Sequence, residues 1–431
     1  VKKFKKNVRK HNAFKVIGSW SNIIAMSTFT APFFILVKHL NQDRKLLEEF
    51  RRKYAQRDLP KQKKVLWFTD TIQDLNGVSV TLRNMVSCAQ ENNIPLRLVT
   101  CNPEAVVSST DAQKVINLPH VRSYQPEFYQ NYTMHFPSVL RSLEIIEKES
   151  PDEIIISTPG PVGLMGLVAA KMLGVKCTGI YHSDFGKQLD YIMEGGYLPQ
   201  IVDQASQWFY SQMDEVCVPT GEYIDILKSR GFKRDQMKIF RRGLNTELFK
   251  HDLSKEAELR DKYGIKEGFT MIYTGRVSRD KSLDFLLDVY RRVRYEKGNI
   301  NLIIAGKGPI LEDLKKASKE LPNVIFTDQV NRIELSQLLS LSDIFVFPST
   351  TDTFGMSVLE AQSCSLPALV SDQGGPQQIV CDGETGYVLP AHDVEAWTNK
   401  ILQMINMAQY HPDDCLSLGQ NARKMVEENY T

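Results

Sequence analysis

From Lys64 onward, short apolar runs alternate with longer stretches whose apolar positions recur every three to four residues. The runs read as strands and the stretches as amphipathic helices, because side chains repeat every two residues along a strand and every 3.6 along a helix. KVLWFTD (64–70), IPLRLVT (94–100), DEIIIST (152–158), CTGIYHS (177–183) and DEVCVP (214–219) are predicted strands. VTLRNMVSCAQEN (80–92) and VGLMGLVAAKMLG (162–174) are among the helices between them. The series restarts after RRGLNTELF (241–249): FTMIYTGRV, NINLIIAG, NVIFTDQ, DIFVFPS and PALVSD are strands, each followed by a helix. Alternating strand and helix gives a parallel sheet covered on both faces. The expected fold is α/β, with two Rossmann-like doubly wound domains, residues 64–243 and 244–431, facing each other across a cleft. Ligands of such sheets bind outside the carboxyl ends of the strands, so the cleft is the expected site.

Residues 1–63 break the pattern. VKKFKKNVRKHNAFK (1–15) carries seven Lys/Arg and no acid, and residues 16–37 carry no charge. The length suffices for a membrane span. Six Ser/Thr/Asn, a Gly and a Pro dilute it, however, and the basic flank would leave the remainder of the chain outside. Three readings stand: an element lying on an anionic membrane surface, a helix joining an upstream domain, and, ranked third, a span. Residues 42–63 read as a charged linker helix ending at Pro60.

Composition narrows the function. A length of 431 residues fits two domains. The formal net charge of +2 gives no general case for nucleic acid. The seven cysteines are odd in number and never spaced C-x-x-C, which reads as reduced thiols in a cytosolic compartment and not as disulfides or zinc ligands.

The candidate chemistry sits at strand ends. After the first strand, Asn76-Gly77 opens a helix whose free N–H groups suit a phosphate, or is a plain turn. It is not the G-x-G-x-x-G of a dinucleotide site. His182 and Asp184 follow another strand. His182 is suited to bond a sugar hydroxyl, to move a proton, or to be satisfied by neighbouring backbone. In GRVSRDK, Arg276 and Lys281 are spaced to reach one anion, with a solvated basic loop as the plainer reading. Gly306 and Gly308 permit close approach of a ligand or make a tight turn. Asp352 precedes, and Glu360 lies within, the helix that starts near Gly355–Met356. They are either a pair of acceptors for sugar and ribose hydroxyls or an N-cap and a surface Glu. Gly374-Gly375-Pro376 is predicted to open a further helix.

Together these residues resemble the family-4 glycosyltransferases of the GT-B fold over about residues 64–427. PSTTDTFGMSVLEAQSCSLPALVSDQGGPQQIVCDGETGYVL (348–389) is similar to that family's E-x7-E signature, and GRVSRDKSLDFLL, AGKGP and RRGLNTELF match further blocks in order. YHSDF and RRGLNTELF look closest to lipid-directed sulfoquinovosyl- and mannosyl-transferases. The resemblance implies a metal-independent retaining hexosyltransferase with no cofactor beyond its nucleotide diphosphate sugar, a UDP-sugar in first place and GDP-mannose as the other choice. The acceptor would be a hydroxyl of a lipid or another glycan. Arg276 and Lys281 would hold the diphosphate, Glu360 the ribose and Asp352 the transferred sugar. Gly77, Gly306, Phe354, Gly355 and Met356 would line the donor site. His182 would lie beside the donor sugar and Asp184 towards the acceptor. The location implied is cytoplasmic, peripheral at the inner membrane face. Three positions depart from the family: Asp352 where Glu is usual, Ser365 where Gly is common, and Asn245 where Asp is frequent.

Competing readings are a sugar-nucleotide epimerase, a phosphorylase, and a degenerate donor-binding or scaffolding subunit. The first two lack their sequence signals. The Asp352 departure keeps the third in play, and donor hydrolysis by the purified chain separates it from an enzyme.

Overall fold

A computed structural model describes residues 62–71, 77–103, 115–125, 133–193, 197–240 and 242–431, with Leu46, Phe50 and Lys53. The readings made for residues 1–37, and most of the linker helix, lie outside the described residues.

The first sheet has seven strands: β1 (Val65–Phe68), β2 (Leu96–Thr100), β3 (Val115–Asn117), β6 (Glu153–Ile156), β7 (Lys176–Ile180), β8 (Glu215–Val218) and β9 (Met237–Ile239). Their order is β3-β2-β1-β6-β7-β8-β9 and every pairing is parallel. A separate antiparallel ribbon pairs β4 (His120–Tyr124) with β5 (Met134–Pro137). Helices α1 (Gly77–Glu91), α2 (Val139–Glu149), α3 (Pro161–Leu173), α4 (Phe185–Met193), α5 (Tyr197–Ser211) and α6 (Gly221–Ser229) connect the strands. Local chemistry sets their ends. Pro161 sits in the first turn of α3 and Gly174 closes that helix in the left-handed conformation. Thr220 caps α6 by accepting the Tyr223 N–H.

After helix α7 (Glu256–Tyr263), the second sheet comprises β10 (Phe269–Thr274), β11 (Ile300–Ala305), β12 (Val324–Asp328), β13 (Ile344–Phe347), β14 (Ala368–Ser371) and β15 (Gly386–Leu389). The order is β12-β11-β10-β13-β14-β15, again all parallel. β11 and β13 are buried along their whole length, as strands covered on both faces must be. Helices α8 (Leu283–Lys297), α9 (Leu311–Ala317), α10 (Arg332–Ser340), α11 (Met356–Ser363), α12 (Val394–Tyr410) and α13 (Pro412–Asn429) complete the layers. α8 buries Leu283, Leu286, Leu287, Tyr290 and Val293 on one face.

Gly374-Gly375-Pro376 opens a helix of the 3-10 kind and not an α-helix. It forms a 3-10 turn, Gly375–Gln378, after which the chain bends through Gly383 (φ 77°) and Gly386 (φ 153°) into β15. Two departures from the family have local explanations. Asn245 accepts the Glu247 and Leu248 N–H groups at 3.1 and 3.0 Å, the capping an Asp would also provide. Ser365 has φ 60°, a backbone conformation that favours glycine.

Polar contacts cross between the two halves. The Lys187 ammonium donates to the Thr350 carbonyl at 2.7 Å, Gln377 to the Glu222 carboxylate at 3.1 Å, and the Thr353 hydroxyl to the His182 carbonyl at 2.6 Å.

Candidate functional site

The carboxyl ends of β10, β11 and β13 build one side of the site. Gly275 follows β10 and Gly306 follows β11. A Cβ on Gly306 would fall 1.9 Å from the Gly275 carbonyl oxygen, and φ there is 151°, so glycine alone lets the two turns touch. Beyond them a 3-10 turn, Arg279–Lys281, directs Lys281 inward. Lys281 is 8% exposed. Its ammonium lies 2.9 Å from Asp352 Oδ2 and 3.6 Å from Asp280 Oδ2, and donates to Ser349 Oγ at 3.4 Å. Arg276 reaches to 3.8 Å from the same Asp280 carboxylate. The two cations therefore converge, and the anion between them is Asp280. Ser278 and Thr351 donate their hydroxyls to the Asp280 carboxylate at 2.5 and 3.2 Å. Burial works to raise the Asp280 carboxyl and Lys281 to lower it, but Lys281, Arg276 and these hydroxyls together hold it below its usual range. Enclosure likewise works against ionised Asp352, and Lys281 overrides it. Burial works against the Lys281 charge too, and Asp352 and Asp280 restore it, leaving the amine above its ordinary value. The cluster is charged at neutral pH.

The loop after β13 carries Asp352 and Phe354 to the start of α11. Gly355 (φ 100°) is the residue before that helix, and Met356 and Phe354 are 9% and 2% exposed. The Asp352 carboxylate accepts the Phe354 N–H at 3.3 Å, and its carbonyl accepts the Gly375 N–H at 2.8 Å. A Cβ on Gly375 would fall 2.1 Å from the Thr353 carbonyl oxygen. The glycines before Pro376 thus let that segment run hard against the Asp352 loop. Glu360, on α11, is 7% exposed and accepts from Arg332 of α10 at 3.1 Å. Burial raises its carboxyl against the pull of Arg332.

From the first half, His182 follows β7 and is 4% exposed. Its Nδ1 lies 2.7 Å from the Arg242 guanidinium and its Nε2 3.2 Å from Ser157 Oγ. Burial, then Arg242, push its pKa well below 6.5. Asp184 is 1% exposed, forms two parallel bonds to Arg230 at 2.9 and 2.8 Å, and accepts the Lys187 N–H at 3.3 Å near the start of α4. A carboxylate so engaged braces α4 against α6. Gly77 begins α1, and residues 72–76 before it lie outside the described residues.

The structure thus brings Arg276, Lys281, Asp352, Gly306, Phe354, Gly355 and Met356 to neighbouring strand ends, with Glu360 about one turn further along α11 and His182 facing them through Thr353. Sequence reasoning missed Asp280, Arg242, Arg230 and Lys187. Arg242 lies in the quoted RRGLNTELF block and Lys187 just after YHSDF, so their neighbourhood was marked, but nothing in the pattern reveals their partners. Among the described residues, no group of three or more His, Cys, Asp or Glu comes together as metal ligands, and no helix is long and apolar enough to cross a membrane.

Two family models match in tandem: Glycosyltransferase Family 4 over residues 75–248 and Glycosyl transferases group 1 over residues 255–425. The first runs from just before α1 to the connection between the sheets, leaving out β1, and the second runs from the connection before α7 into α13. The chain belongs to the family-4 glycosyltransferases. Its curated relatives include a sulfoquinovosyl transferase of Arabidopsis thaliana, 26% identical over 337 residues. That match covers 77% of this chain and 64% of the plant protein, so just under two thirds of the relative. The alpha-monoglucosyldiacylglycerol synthase of Streptococcus pneumoniae is 26% identical over 70% of this chain and 69% of that enzyme. Among solved structures, Anabaena HepE in complex with UDP and glucose superposes with a TM-score of 0.68 at 15% identity, covering 85% of this chain and 95% of that one. Sucrose-phosphate synthase from Thermosynechococcus elongatus gives 0.69 at 18% identity, covering 86% and 95%. At these identities the structures establish the fold, which is GT-B.

Proposed function

We propose that this family-4 glycosyltransferase is a retaining, metal-independent enzyme that moves a hexose from a nucleotide diphosphate sugar to a hydroxyl of a lipid or glycan. The observation that carries the reading is the convergence of Arg276 and Lys281 at the ends of β10 and β13, beside the α11 N-terminus. As the glycosidic bond breaks, the sugar becomes oxocarbenium-like and the diphosphate gains charge. Fixed cations and backbone N–H groups at that point stabilise the leaving group without a metal ion. Glu360 accepts the ribose hydroxyls and Asp352 the transferred sugar. The acceptor hydroxyl attacks from the leaving-group face, and the departing phosphate takes its proton.

A UDP-sugar is the donor put first. The Anabaena neighbour was solved with UDP and glucose. GDP-mannose is the other choice, since a mycobacterial relative named as GDP-mannose-dependent is 30% identical over 37% of this chain. Two relatives whose names include a lipid, the alpha-monoglucosyldiacylglycerol synthase of Streptococcus pneumoniae and the phosphatidylinositol monomannoside mannosyltransferase of Mycolicibacterium smegmatis, support a lipid acceptor, and residues 1–37 would bring the chain to an anionic membrane surface at the cytoplasmic face.

A thermal-shift screen over nucleotide sugars, paired with release of free nucleoside diphosphate, tests this. The right donor at a hundred times its Kd stabilises by about 2.7 kcal/mol and is turned over. Stabilisation without turnover, with or without added acceptors, would support the degenerate donor-binding subunit. No shift with any nucleotide sugar would end the donor assignment.

A further inference from the structure

The connection between the two sheets carries a buried cation that the reading above leaves without a task. Arg242 is 5% exposed. Its guanidinium lies over the Phe354 ring at 5.2 Å, and one of its amino groups is 2.7 Å from His182 Nδ1. Its Nε is buried with no hydrogen-bond partner. Among the described residues, no carboxylate is recorded as an ion-pair partner of Arg242.

A guanidinium has five N–H groups and no acceptor, so whatever bonds to it must offer a lone pair. His182 Nδ1 is therefore unprotonated. The ring proton is on Nε2, which faces Ser157 Oγ at 3.2 Å. That oxygen also receives the Trp67 indole N–H at 2.7 Å, so its two lone pairs are taken by two N–H donors. Adding a proton to Nδ1 would set an N–H and a second positive charge against the guanidinium. The ring itself is bonded to Ser157 after β6, which is bonded in turn to Trp67 of β1, and to Arg242, while Thr353 of the Asp352 loop is bonded to the His182 carbonyl. Of these, Arg242 alone is charged. Next outward are Asp352, which acts on Arg242 electrostatically, and Asp184, which is held by Arg230.

We propose that Arg242 is a positioning residue that fixes His182 as its neutral, Nε2-protonated tautomer and removes it from acid–base chemistry. His182 then anchors the Asp352 loop through its carbonyl and the Thr353 hydroxyl, at 2.6 Å. The acceptor proton has no route to His182 Nδ1, in keeping with its transfer to the leaving phosphate. The kinetic part of the test rests on the transferase reading, and the spectroscopic part does not.

The experiment is nitrogen NMR of the whole chain labelled with 15N-histidine, with His182→Gln identifying the His182 signals among the eight histidines. One ring with bare Nδ1 and protonated Nε2, unchanged between about pH 5 and 8, is expected. An Nδ1–H tautomer, or titration in that window, overturns the proposal. In parallel, kcat for donor turnover is followed against pH. Arg242→Met should acquire an acid limb near pH 6–7 with donor KM changed by less than about threefold. Arg242→Lys, which still donates to Nδ1, should keep the wild-type profile. Arg242→Met with the wild-type tautomer and profile would also overturn it. If the wild-type protein turns over no donor, the transferase reading fails, and the tautomer in the unmutated protein still decides the proposal.

Discussion

Lys281 and Asp352 meet at 2.9 Å, although one leaves the end of β10 and the other the end of β13. The cation assigned to the diphosphate is thus held by the carboxylate assigned to the sugar, with Asp280 3.6 Å away on the other side. Such a lysine is preset in place and needs no search for its ligand, because its rotamer is already fixed. Lys281→Met keeps the stem and removes the charge. It should lower donor kcat/KM by roughly ten- to hundredfold, the worth of a charge-assisted contact of about 1.5–3 kcal/mol. Arg276→Ala, at a side chain that is 37% exposed, should lower turnover similarly with little loss of stability. Steady-state kinetics beside chemical denaturation separate the two effects, and wild-type kinetics in both variants would remove the diphosphate assignment.

Stability should carry a histidine signature. His182 is held neutral by burial, then by Arg242. The unfolded chain gains a proton there below about pH 6.5 and the native state does not. Its contribution is therefore full above that pH and falls by up to about 1.4 kcal/mol per unit below it. Asp70, whose carboxyl burial raises to about 6, works in the opposite direction between about pH 4 and 6. The comparison must then be wild type against His182→Gln. The difference in unfolding free energy should shrink as pH falls from about 7 to 5, and a constant difference would contradict a neutral His182.

Asp184 and Arg230 should behave as a brace. Arg230→Met strands a carboxylate that is 1% exposed and should cost about 3–5 kcal/mol. Asp184→Asn should cost less, about 1–3 kcal/mol, because Arg230 is 29% exposed and can turn to water. Acceptor KM, measured on the folded fraction, should stay unchanged in Asp184→Asn. A large rise in acceptor KM without loss of stability would return Asp184 to the acceptor side.

Ser365 occupies a left-handed position at φ 60°. Ser365→Gly should stabilise the protein by about 1 kcal/mol by relieving that strain, whereas Ser365→Ala should gain nothing. Thermal denaturation of the pair is sufficient, and equal midpoints would mean the strain is offset elsewhere.

The strands were legible because burial on both faces leaves a nearly continuous apolar run, as in INLIIA of β11 and IFVF of β13. β4 reads HVRSY and is exposed throughout, so neither period marks it. β3 and β9 are three residues each, too short for a pattern. In the site, Arg276, Lys281, Asp352 and Glu360 announced themselves by spacing within one loop or helix start. Arg242 and His182 are 60 residues apart, and Arg230 and Asp184 are 46 apart. Such pairs are made by packing strand ends together and leave no local signal. Asp280 stands between two basic residues in the sequence, and only the fold shows that both nearby cations turn back to it.

The central claim is that Asp352 and Glu360 divide the donor, one for the transferred sugar and the other for the ribose. Calorimetric titration with the nucleoside diphosphate and with the intact nucleotide sugar tests it most directly, on the wild type, Asp352→Asn and Glu360→Gln. Glu360→Gln should weaken both ligands. Asp352→Asn should bind the free nucleoside diphosphate nearly as the wild type does, while turnover of the nucleotide sugar falls by roughly tenfold or more, because its contact strengthens as the sugar gains positive charge. Equal loss of free-nucleotide affinity in Asp352→Asn and Glu360→Gln would mean that the two carboxylates share one duty, and would contradict this account.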